Sequence, residues 1–152
     1  MMAQKIVLFL SELREHAQEV EYRCPDGSVV TGVQTNEAPV KYLLHRHPEI
    51  SEILCVVTPT AEQSAWERFQ IEIAQTAPKA RCTLIPFQSE TDFQGEVLPQ
   101  ILASAESGDE IFLETTGGLR NAVMYLLLIS RALSYAGVKT AGAVYSNYTQ
   151  KE

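Results

Sequence analysis

Five short, nearly continuous apolar runs recur along the chain, with turns and stretches of helical periodicity between them. The runs fall at Ile6 to Leu10, Glu52 to Val57, Arg81 to Pro86, Glu110 to Glu114 and Val138 to Tyr145. A strand with one wet face alternates apolar and polar residues, whereas a strand covered on both faces reads as an unbroken apolar run. Strands of this second kind belong to parallel sheets with helices on both sides. The pattern therefore predicts an α/β fold with a doubly wound, mostly parallel sheet and right-handed crossovers.

The intervening segments fit. Residues 37–46 carry helical spacing through Ala38, Leu43 and Leu44 and stop at His47-Pro48. Trp66, Phe69, Ile73 and Ala77 share one face of a second helix. Asp92 to Ser107 reads as a third helix, with Val97, Ile101 and Leu102 inside. Leu119 to Ala136 reads as a fourth, ending at Gly137, a residue suited to the left-handed position after a helix. Between Val20 and Gln34, two β-rich runs flank Pro25-Asp26-Gly27, which predicts an inserted β-hairpin. With 152 residues and neither linker nor repeat, the chain reads as one domain, residues 1–152.

Charge and cysteine content narrow the function. Twelve Lys and Arg against nineteen Asp and Glu leave a formal charge of −7, unsuited to gripping long DNA or RNA by counterion release. Cys24, Cys55 and Cys82 form no CxxC pair and read as reduced thiols in a cytoplasmic protein. The apolar run at the N-terminus is too short for a signal peptide or a membrane anchor. His45 and His47 lack a nearby third ligand, so they read as helix-end residues. No metal or cofactor is expected. Trp66 shares its spacing with core residues and reads as core.

In open parallel sheets ligands bind beyond the carboxyl ends of the strands. Three loops lie there: Ser11-Glu12-Leu13, Thr58-Pro59-Thr60, and Thr115 to Asn121 (TTGGLRN). In the last, Gly117 and Gly118 allow the backbone to approach an oxygen closely, the next helix points its positive end at the same place, and Arg120 adds a charge. The segment suits a phosphate-bearing ligand. A plain strand-to-helix turn is the other reading. The helix beyond, NAVMYLLLISRALSYAG, is apolar on nearly all sides, so either a second layer or a second subunit covers it.

Gly117-Gly118-Leu119-Arg120 after a strand ending Glu-Thr-Thr, followed by a long Leu-rich helix, resembles the signature of CARF domains, the CRISPR-associated Rossmann-fold sensors of type III systems. The first strand ending at Ser11, the hairpin with Tyr22 and Asp26-Gly27, the segment Thr35 to Ala38, and Val144 to Tyr148 also match. The resemblance implies a Rossmann-like homodimer binding a cyclic oligoadenylate, most often the four-membered ring, across its two-fold axis to control an effector. Phosphate and ribose contacts would fall on Thr116, Gly117, Gly118, Leu119, Arg120 and Asn121. Ser11, Glu12, Thr58, Pro59 and Thr60 would meet bases and ribose, with Thr35 and Asn36 closing the rim and Glu12 suited to an adenine amine. No effector accompanies the sensor in this sequence, which implies an excised sensor or a stand-alone member. Stand-alone members are often ring nucleases, so the alternative is a metal-independent enzyme that degrades the same ligand. Its catalytic residues are not identified by the sequence.

Overall fold

The computed structural model describes residues 2–88, 93–118 and 121–146. Five strands form one sheet: β1 (Gln4–Phe9), β4 (Ile50–Val57), β5 (Arg81–Pro86), β6 (Glu110–Glu114) and β7 (Lys139–Val144). Their order is β5-β4-β1-β6-β7 and every pairing is parallel. The first strand in sequence is thus central. This is the α/β, Rossmann-like sheet that the apolar runs predict. The hairpin is also present, as β2 (Val20–Arg23) paired antiparallel with β3 (Val29–Gly32) in a separate two-stranded sheet.

Helices cover both faces. On one, α1 (Glu37–Arg46) and the helix formed by α2 (Pro59–Ala61), a π-helical turn (Glu62–Trp66) and α3 (Glu67–Thr76) bury Val40, Leu43, Phe69 and Ile73 against Ile6, Leu8, Ile53 and Cys55. Trp66 packs at the margin of this layer, as its spacing predicts. On the other face, a π-helical turn (Phe93–Val97) leads into α4 (Leu98–Ala103). It packs with α5 (Ala122–Tyr135) on Val7, Phe9, Leu54, Ile111 and Leu113. Ile6, Val7 and Leu8 are each fully buried, which is why β1 has no polar alternation. Each such side chain contributes roughly 1.5–3 kcal/mol of burial free energy.

Two helix boundaries differ from the periodicity. The helix expected from Asp92 to Ser107 ends at Ala103, because Ser104 returns its hydroxyl to the Gln100 carbonyl at 2.7 Å and Asp109 accepts the Glu106 amide at 2.9 Å. Short polar side chains that bond to backbone compete with helix continuation. Asp92 lies outside the described residues. The described part of α5 begins at Ala122, after Asn121 at its N-cap, and Gly137 follows its end with φ of 84°. Among the described residues no helix is long and apolar enough to cross a membrane.

One face of α5 is left bare. Leu126, Ile129 and Leu133 are buried, whereas Val123, Met124, Leu127 and Leu128 are between 46% and 60% exposed.

Candidate functional site

The carboxyl ends of β1, β4 and β6 gather the three loops. A cleft of about 270 Å³ opens there, floored by Phe9, Leu10 and Val56 and walled by Ser11, Glu12, Arg14, Thr35, Thr58 and Gly118. Five of the expected contact residues, Ser11, Glu12, Thr35, Thr58 and Gly118, therefore share one concavity. Pro59 and Thr60 line a neighbouring depression of about 460 Å³ with Glu62, Gln63 and Gln88. A larger groove, about 610 Å³, lies between α5 and the start of β7, at the opposite edge of the sheet.

Local bonds fix the first two loops against each other. The Thr60 hydroxyl donates to Glu12 Oε1 at 2.6 Å, and the Leu13 amide donates to Ser64 Oγ at 3.1 Å. Thr58 caps the helix after β4, its Oγ1 accepting from the Ala61 amide at 3.2 Å. Glu12 thus meets a hydroxyl across the cleft rather than a charge.

The third loop is more constrained. Thr115 is tied to β7 by its amide and hydroxyl, which both donate to the Val144 carbonyl at 2.8 and 3.0 Å. Thr116 donates its amide to Glu114 Oε1 at 2.6 Å and accepts the Ser146 amide on Oγ1 at 2.7 Å. Gly117 is buried, and a Cβ there would overlap the side chain of Asn36. Gly118 is exposed with φ of 93°, and a Cβ would overlap that of Phe9. Both positions therefore require glycine, one for space and the other also for its backbone angle. The Gly118 amide donates to Ser11 Oγ at 2.7 Å. Two loop amides, those of Thr116 and Gly118, are thus already bonded within the protein.

Beneath the cleft sits a polar hub that the sequence pattern misses. Asn36, read from the sequence as a rim residue, is fully buried. Its Nδ2 donates to the Phe9 carbonyl at 3.1 Å and to Glu114 Oε2, while its Oδ1 accepts from the Ser11 amide at 2.9 Å and from Gln34 Nε2 at 2.7 Å. With every bonding position used, Asn36 supports the cleft rather than lining it. Gln34 Nε2 also reaches the Ser11 carbonyl at 2.8 Å. Ser11 is consequently held at its amide, carbonyl and hydroxyl oxygen. Glu37, at the first position of α1, accepts the Val33 and Gln34 amides at 3.0 and 3.1 Å and pairs with Arg68 at 3.1 Å. It fixes the hairpin exit that delivers Gln34 and Asn36.

Glu114 is fully buried at the end of β6. Burial pushes its carboxyl up to about 7, against the opposing pull of hydrogen bonds from Thr116 and Asn36. Neither Gln34 nor Glu114 stands out in the sequence. The available signal was an acidic residue closing an otherwise buried strand, EIFLE, directly before the glycine turn.

Leu119 and Arg120 lie outside the described residues, as do Asn147 and Tyr148. Asn121 stands at the start of α5, on the same strand-to-helix connection. The arrangement can orient a small polar ligand over Ser11 and Gly118 and offers it hydroxyls, a carboxylate and the Arg14 cation. A scan against models of known protein families finds no match, and a search of curated proteins finds no similar sequence.

Proposed function

We propose that this chain is a cytoplasmic, CARF-like sensor domain that binds a cyclic oligoadenylate, the four-membered ring being the first candidate, across a homodimer and so controls an effector in type III CRISPR defence. The observation that carries this reading is the glycine turn of Thr116 to Gly118, held against Ser11 beside a cleft at the carboxyl edge of a parallel sheet. That is where an open α/β sheet receives ligands. The bare apolar face of α5 follows the turn directly in sequence, so a two-fold interface through it would bring two such turns near one axis. A symmetric ring suits a symmetric pair of turns.

Calorimetry with cyclic tetra-adenylate tests the reading, and chromatography of the same mixture tests for cleavage. One ring bound per two chains without turnover supports the sensor. Linear products support the metal-independent ring nuclease, in which the ligand's own 2′-hydroxyl attacks the adjacent phosphate. Arg120→Ala should weaken binding by about 1.5 to 3 kcal/mol as a charge-assisted phosphate contact is lost. Failure to bind either the four- or the six-membered ring would overturn the assignment.

A further inference from the structure

The geometry points to a proton-linked site: an anion bound at the turn of Thr116, Gly117 and Gly118 is taken up together with one proton from solvent onto Glu114, which acts as a positioning residue. This rests on the reading that the turn faces an anionic ligand.

The orientation of Asn36 is set by two backbone groups that cannot exchange roles. The Ser11 N–H only donates and so demands Oδ1; the Phe9 carbonyl only accepts and so demands Nδ2. Nδ2 is thereby turned onto Glu114 Oε2. The other carboxyl oxygen accepts from the Thr116 amide, and the Thr116 hydroxyl bonds to the carboxyl as well. With these groups donating, the arrangement suits a carboxylate. Complete burial, with no cation among its described bonding partners, favours the neutral acid instead. The two demands conflict, and the balance falls near neutrality, at about 7.

Protonation resolves the conflict without breaking the hub. The Thr116 hydroxyl turns from donor to acceptor of the new Glu114 O–H, while Asn36 stays anchored by its bonds to Phe9, Ser11 and Gln34. Proton uptake therefore removes a buried negative charge from directly behind the turn, and that change favours an anion there.

Among the described residues, the charged and titratable groups around Glu114 leave it as the responder. Cys55, in line with it across Leu8 on β4, is held as the thiol by burial, with the Cys82 contact and the Glu114 charge adding to the effect. Glu37, at the start of α1, is spent on two amides and Arg68. Glu12 and Arg14 stand in the cleft above. On the β7 side, Val144 and Ser146 carry no charge.

The test is calorimetry with cyclic tetra-adenylate near pH 6, 7 and 8, repeated near neutrality in two buffers of different ionisation enthalpy. The ring's phosphodiesters and adenines do not titrate in this range. Binding of one ring across two turns should weaken about 25- to 100-fold from the lowest to the highest pH, about five- to tenfold per turn, with uptake of up to two protons per ring. Glu114→Gln, permanently neutral, should bind with a flat profile and no proton uptake. Wild-type binding with a flat profile and no buffer dependence overturns the proposal and leaves the ligand reading standing, as does full proton uptake by Glu114→Gln. Should that variant not fold, the wild-type buffer dependence decides alone. No binding at any pH overturns both readings.

Discussion

Two acidic residues are buried at opposite ends of the same sheet, and they are treated in opposite ways. Glu52, near the amino end, accepts from the Thr83 hydroxyl at 2.6 Å, Lys5 at 3.0 Å and Arg81 at 3.2 Å. Burial alone would raise its carboxyl, but these hydrogen bonds and the Lys5 charge outweigh it and hold the group below the usual carboxylate range. Glu114, at the carboxyl end, has among the described residues only the neutral donors of Thr116 and Asn36, and burial prevails. One end compensates its charge while the other leaves it in tension. Strained ionisation of this kind concentrates where ligands bind, and the cleft opens at the carboxyl end.

The contrast can be broken most severely at the hub. Asn36→Ala strips partners from the Ser11 amide, the Phe9 carbonyl and Glu114 together, and should lower stability by about 4 kcal/mol in urea denaturation. Next in size is the dependence on pH. A carboxyl raised in the fold stabilises it fully below the unfolded value of 4.5 and progressively less as pH climbs to about 7. Glu114 should therefore withdraw about 3 kcal/mol across that window. Glu52, being lowered, acts with the other sign: its contribution is present above 4.5 and fades as pH falls further. Glu114→Gln should flatten the upper slope and Glu52→Gln the acid limb; interchanged effects would refute the contrast. The smallest effect belongs to Arg81→Ala. The side chain is 75% exposed, so its loss should cost about 0.5 kcal/mol in the same denaturation.

Most of the frame was legible because it follows from burial, and burial leaves a local mark. β1 reads as central from Ile6 to Leu10 alone, and the hairpin reads from its turn. The helix before β6 was read too long, since Ser104 and Asp109 end it through side-chain bonds that periodicity does not register. The loops of the site were legible as well, from their positions after strands. The hub beneath them was not. Asn36 meets Glu114 across 78 positions of sequence, and Ser11 meets Gly118 across 107. A polar residue between a hairpin and a helix reads as solvent-facing until the fold encloses it. Glu114 has the same character: at the last position of a strand, an acidic side chain looks like an edge.

The central place of β1 carries a consequence for the order of events during synthesis. The first strand made is the one onto which β4 and then β6 must add, and its pairing with β6 joins residues more than 100 positions apart, as in the Ala3 contact with Asp109. Such distant closures are slow, because chain entropy is spent before the contacts form. On the ribosome, β1 waits with one edge open until most of the polypeptide has emerged, and the Ser11 to Gly118 bond comes later still. Nascent chains halted before β6 thus lack the glycine turn and its bond to Ser11 and offer chaperones an unpaired hydrophobic strand.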